Sequence, residues 1–181
     1  MEVNVVTGSL TEEVTVAEIN TITGYSDTDQ DTRIALLITV AREWLEARTG
    51  VSALSKSYKA YFEKGDRDST GYYELPFSPV TGVPVVSVCG VATTEFDSIG
   101  MDRKRIRPST SYATVPVGGT SPYYVEVTFT AGASSKLTNE CIRRIVVSMF
   151  NNPEDGAEVS MSRLPFDTLR LIESINQNTG L

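Results

Sequence analysis

The sequence predicts an α+β protein: a helical body carrying an inserted, small antiparallel β-rich lobe. Two observations carry this reading. Near both ends of the chain apolar residues recur at three- and four-residue spacing, the period of a helix face turned toward a core. Between about residues 55 and 130 the period drops to two, that of half-buried strands, with Gly and Pro between the runs. The 181 residues are read as one domain, able to bury roughly 70% of its unfolded surface.

Thr15 and Glu18 stand in capping-box order, where hydroxyl and carboxylate each satisfy a backbone donor the helix leaves free. A helix is expected over about 15–24, with Val16, Ile19 and Ile22 on one side and Gly24 as its stop. A longer helix is expected over about 29–49, with Ile34, Leu37, Ile38, Ala41, Trp44 and Leu45 in one stripe and Gly50 closing it. Leu36, Val40 and Ala47 lie on roughly the opposite face. Two apolar faces imply cover on both sides, supplied by the rest of the fold or, at Leu36, Val40 and Ala47, by a neighbouring subunit.

The first strand alternates Tyr58, Ala60 and Phe62 against Lys59, Tyr61 and Glu63. A second short one is expected at Tyr72–Leu75. Pro76, Pro79 and Pro84 lead into Val85, Val86, Val88 and Val91, which suggests a strand approached by an edge or a loop, since proline cannot donate to a ladder. Val125, Val127 and Phe129 share one face of the last strand. Helical spacing returns over about 138–151, with Thr138 as N-cap and Ile142, Ile145, Val146, Met149 and Phe150 on one side. Glu154 to Ser162 reads as a linker. A final helix over about 165–176 starts at Pro165 and carries Phe166, Leu169, Ile172 and Ile175 on one side. That side either folds back on its own core or docks in a groove of a partner.

Composition narrows the chemistry. The net charge of -7, from 23 acidic and 16 basic residues, argues against a general nucleic-acid binder. No apolar run approaches the ~20 residues of a membrane span, and the start MEVNVVTGSLTEEV lacks the pattern of a secretory signal. Cys89 and Cys141 are expected as reduced core residues, which suits folding in a reducing cytoplasm. The absence of histidine removes the commonest general base and metal ligand. Asp27, Asp29 and Asp31 resemble the start of a calcium loop, but Thr32 and Ile38 stand where Gly and Glu are required, so helix capping is expected instead. Asp66 and Asp68 read as a solvated turn. Arg103, Lys104, Arg105 and Arg107 form the one basic cluster, read as an exposed hairpin edge or as a contact for DNA or an acidic partner. No residue is assigned a catalytic, cofactor-binding or metal-binding role, and no cofactor is expected.

The order of segments adds a resemblance. The capped helix opening TVAEI, the acidic turn, and the long helix ending in Trp44-Leu45-Glu46-Ala47-Arg48-Thr49-Gly50 resemble the start of tailed-bacteriophage head-tail connector (adaptor, or head-completion) proteins. Leu75-Pro76-Phe77-Ser78-Pro79-Val80, leading to Val86-Ser87-Val88, is similar to that family's LPxxPV stretch. Val125 to Gly132 and the Leu164-Pro165 pair fit as well, while Thr81 to Pro84 and 101–119 match nothing in the family pattern. The resemblance implies a structural virion protein of the neck, not an enzyme, assembled in the bacterial host cytoplasm. It implies a twelvefold ring of this chain beneath the portal protein, extending the DNA channel and offering a platform to the next neck or tail protein. Genomic DNA would pass through without specific binding, and no membrane would be involved. Phe166, Leu169, Ile172 and Ile175 are then the candidate partner-binding face, and Leu36, Val40 and Ala47 the candidate subunit interface. Alternatives are another neck, tail-completion or stopper protein, a carboxylate-dependent hydrolase, or a small module binding a cellular partner.

Overall fold

The computed structural model of the chain describes residues 1–8, 11–25, 27–101, 103–109, 123–152 and 164–178. The fold is α+β, with four helices and two antiparallel sheets among the described residues. It divides into two compact units, one of Met1–Ser9 with Ser55–Ala133, the other of Leu10–Leu54 with Ser134–Leu181.

The second unit is helical. Helix α1 spans Val16–Thr23 and opens on the expected capping box: the Thr15 N–H donates to Glu18 Oε2 at 2.8 Å, and the Glu18 N–H donates to Thr15 Oγ1 at 3.3 Å. Gly24 ends it in the left-handed region, φ 71°, which glycine enters without Cβ strain. Helix α2 spans Asp31–Thr49 and ends at Gly50 in the same way. Helix α3, Lys136–Asn151, starts earlier than the sequence suggested. Ser135 is the cap, accepting from the Thr138 N–H at 3.2 Å, because its hydroxyl offers the same acceptor one turn sooner; Thr138 lies inside the helix and is buried. Helix α4 spans Phe166–Asn178. Ile19, Ile34, Ile38, Ala41, Leu45, Cys141, Ile142, Ile145 and Val146 form one core, to which α4 adds Ile172 and Ile175. Trp44 is only half-buried against it, so the heaviest side chain of the expected stripe sits at the margin of the core.

The other unit is built of strands. Its five-stranded sheet has the order β1-β2-β8-β4-β5, from β1 (Glu2–Gly8), β2 (Lys56–Phe62), β8 (Val125–Ala131), β4 (Val80–Val88) and β5 (Val91–Thr93). A three-stranded sheet has the order β3-β7-β6, from β3 (Tyr73–Glu74), β7 (Arg105–Pro108) and β6 (Phe96–Ile99). The lobe is therefore not built from 55–130 alone, because β1 pairs with β2 through Val3↔Ala60 and Val5↔Tyr58. An edge strand exposed on both faces apart from Val3, with a bulge between Val5 and Thr7, leaves a weak period-two signal, which is why the sequence did not announce it. Tyr58, Ala60, Phe62, Val86, Val125, Val127 and Phe129 bury one face of the larger sheet, and Tyr73, Leu75 and Ile106 belong to the same core. Tyr58 stacks on Phe77 and Phe129 at centroid distances of 4.4 and 5.6 Å. Burying each such aromatic is worth about 1.5–3 kcal/mol.

Strand β4 corrects the expectation drawn from its prolines. It lies between β8 and β5, inside the sheet. Its register with β8 shifts between Thr81 and Val85, so Pro84 falls in a bulge where its missing N–H costs no ladder bond. Beyond the bulge alternation is strict: Val85 is exposed, Val86 and Val88 are buried. Cys89 and Gly90, at φ 50° and 86°, make the two-residue turn into β5.

Candidate functional site

The acidic motifs are absorbed by local structure. Asp27 caps a short 3-10 turn, accepting from the Asp29 N–H at 3.3 Å, and Asp31 accepts from Asn20 Nδ2 at 2.9 Å, which ties the start of α2 to α1. Asp66 accepts from the Glu63 N–H at 2.8 Å, and that backbone bond holds its carboxyl below the usual range. Asp68 Oδ1 gathers the Thr70 hydroxyl at 2.6 Å and the Tyr72 N–H at 3.0 Å, with the same consequence. Among the described residues no group of three or more His, Cys, Asp or Glu is placed to hold a metal ion. No helix among them is long and apolar enough to cross a membrane. Both cysteines are free and buried, and burial pushes the Cys141 thiol up to about 11.

The basic cluster lies elsewhere than the sequence suggested. Arg105 and Arg107 sit on β7, the middle strand of the smaller sheet, so the cluster is not a hairpin edge. Its arginines face carboxylates: Arg103 meets Glu74 at 3.2 Å, Arg105 meets Asp68 at 3.5 Å and Arg107 meets Asp97 at 2.6 Å. Lys104 donates to the Gly82 carbonyl at 3.0 Å. Arg107 also lies over the Tyr72 ring, 4.6 Å from its centroid. A stripe that reads as free positive charge is thus largely neutralised within the lobe.

The two candidate docking faces divide. On α2, Leu36 is 64% exposed and Ala47 is exposed, whereas Val40 is half-buried against the helical core, so among the described residues Leu36 and Ala47 are the part of this second face left open. On α4, Ile172 and Ile175 are 3% and 5% exposed and belong to the helical core; Leu169 is partly buried there, and Phe166 is 66% exposed. The face expected to meet a partner is therefore mostly spent on its own unit, with Phe166 left outside beneath the Arg170 guanidinium at 4.6 Å. Residues 153–163, which include the expected linker, and 110–119 of the unmatched stretch lie outside the described residues.

A buried ionic network escaped the sequence reading. Arg42, 6% exposed, donates through Nε to both oxygens of Glu12 at 3.0 and 3.1 Å and through Nη1 to Glu46 at 3.0 Å. Glu46, equally buried, accepts also from the Ala53 N–H at 2.9 Å. The network fastens residues 12 and 53 to α2. A signal was present: Arg42, Leu45 and Thr49 continue the row of Ile38 at helical spacing, so a charged residue stood on a buried face.

Near the start of α2, exposed Tyr25 adjoins Phe150, which is half-buried against the helical core. Tyr25 and Phe150 meet edge to face at 5.5 Å, and the Arg33 guanidinium lies 5.2 Å from the Phe150 centroid. A groove of about 420 Å³ between α1, α3 and α4 is lined by Ile22, Arg143, Asn151 and Thr168, among others. Thr168 is 1% exposed, and its hydroxyl has no hydrogen-bond partner among the described residues.

No protein-family model matches the sequence, and none of the curated proteins matches it. Solved structures do. A chain in the neck of the empty gene transfer agent (GTA) particle, computed with C6 symmetry, is similar with a TM-score of 0.71 and 23% identity, covering 97% of this chain and 95% of that one. A chain in the neck of the native GTA particle, computed with C12 symmetry, gives 0.70 and 20%, covering 97% and 94%. A chain of the native GTA virion gives 0.68 and 22%, covering 96% and 94%. From end to end, this chain has the fold of chains found in the neck and virion of gene transfer agent particles.

Proposed function

We propose that the chain is a structural protein of a phage-type neck, a head-tail connector (adaptor) subunit that forms a ring beneath the portal and links head to tail. The observation that carries this is the end-to-end fold likeness to GTA neck chains, helices and sheets together. The segment order that resembles head-tail connector proteins supports it independently. In this reading copies of the chain surround the DNA channel, and the excess of acidic residues lets the genome pass without adhering, since like charge repels phosphate. The pairing of Arg103, Arg105 and Arg107 with carboxylates suits a wall that does not grip DNA. The role is mechanical rather than enzymatic, and a chain without histidine suits it.

The test is reconstitution. The purified chain is added to capsids that carry their portal but lack this chain, and the vertex is imaged by electron cryomicroscopy. A closed ring of added density directly beneath the portal is the expected result. Added density found only after a further neck protein is supplied would place the chain lower in the neck and refute the adaptor role.

A further inference from the structure

We propose that the face formed by Tyr25, Arg33, Leu36 and Phe150 is where the next copy of the chain docks in the ring, with a carboxylate of that copy seated against Arg33. The inference rests on the ring reading above and names the contact that closes it. A ring interface is heterologous, so each copy needs one face that accepts its neighbour and a different one that is accepted. Three observations point to this face.

The first is exposure at an apolar position: Leu36 is 64% exposed and Tyr25 is 45% exposed, on a unit that buries most of its other large apolar side chains. The second is contiguity. Tyr25 meets Phe150, Arg33 covers Phe150, and Leu36 follows Arg33 by one helical turn, so the four form one patch. Tyrosine, arginine and other aromatics are the side chains that dominate interface energetics. The third is an unmatched charge. Arg42, Arg103, Arg105, Arg107, Arg143 and Arg144 each have a carboxylate within 4.0 Å. Among the described residues Arg33 has none, only the weak 3.5 Å bond to Gln30 and its place over Phe150; Arg48, Arg67 and Arg170 also lack one, but Arg33 is the arginine of this patch. A second copy of a chain with seven excess negative charges is a natural source of the missing carboxylate.

The experiment compares the wild-type chain with Arg33→Glu and Leu36→Asp, each added to portal-bearing capsids. It also uses a photo-crosslinking benzoylphenylalanine at position 36. Both exposed substitutions should leave the melting temperature within a degree or two of wild type, which establishes that the variants fold. The wild-type chain should close rings, whereas the variants should attach singly or leave the vertex bare. Irradiation should join the chain to a second copy of itself. Closed rings from both variants, or crosslinks to the portal alone, overturn the proposal while leaving the adaptor reading intact. A wild-type chain that closes no ring defeats the adaptor reading first and this inference with it.

Discussion

Arg42 shows how much one side chain can decide. Its guanidinium is nearly enclosed by the carboxylates of Glu12 and Glu46, which are themselves removed from water to different degrees. Arg42→Met would leave Glu46 buried without its cation, and such an orphaned charge costs about 3–5 kcal/mol. Urea unfolding should register that loss, whereas Leu36→Asp on the exposed side of the same helix should change stability by no more than about 0.5 kcal/mol. Gly100 is the corresponding case for the backbone. It sits at φ 92°, and a Cβ built there would collide with the Arg103 carbonyl oxygen. Gly100→Ala should therefore destabilise the lobe by at least about 1–3 kcal/mol, read as a lower denaturant midpoint with an unchanged slope. An unchanged midpoint would mean that the loop relaxes around the added carbon.

At the scale of elements, helix α1 links a sequence motif to a pH dependence. The Thr15 backbone N–H holds the Glu18 carboxyl below its ordinary value, and Arg143 Nη2, at 2.9 Å, adds to this from α3. A depressed carboxylate stabilises the fold at pH values above its unfolded pKa, and that contribution disappears as pH falls through the folded value. Glu18→Gln keeps an acceptor for the Thr15 N–H but removes the charge, so it should cost about 0.3–1 kcal/mol at pH 7, the worth of a carboxylate in a first helical turn. The gap to wild type should close as pH drops below the 4.5 of a free glutamate. A gap independent of pH would assign the effect to packing. The capping box, the α2 stripe and the alternation of β2 and β8 were legible because each is a local pattern whose period matches its burial. Strand β1 and the interior place of β4 were not, because both depend on pairing between residues far apart in sequence, Val3 with Ala60 and Val86 with Val127. Arg42 was passed over for a different reason: a charge is ordinarily solvated, and the acid that buries it, Glu12, lies thirty residues away. The α2 outer face was seen from spacing alone, but its aromatic extension, Tyr25 with Phe150, is brought together only by the packed helices.

For the whole molecule the proposed ring raises the question of how a chain with so modest an exposed apolar patch would close it. A contact worth about 4 kcal/mol corresponds to millimolar affinity and is silent at micromolar concentration. Tethering copies side by side on a symmetric portal raises their effective concentration into the millimolar range, where the same contact becomes populated without any new interaction. The purified chain should then sediment as a monomer at micromolar concentration and form rings only when the portal is present. The fold of α4 constrains how a portal would be engaged. Leu164, Ile172 and Ile175 contribute to the helical core, each side chain worth about 1.5–3 kcal/mol against a total stability of about 5–15 kcal/mol. A chain cut after Asn152 should consequently melt at a markedly lower temperature or fail to fold. If it instead melted like the full chain, α4 would be free to leave its core, and the whole row from Phe166 to Ile175 would again be available to the portal. With α4 seated as it is, Phe166 and Arg170 are the part of that row open to a partner. Phe166→Ala should weaken capsid binding while leaving the melting temperature nearly unchanged, measured by co-sedimentation beside a thermal melt. Normal co-sedimentation of that variant would remove α4 from the portal contact and leave α2 and its aromatic neighbours as the faces through which the chain assembles.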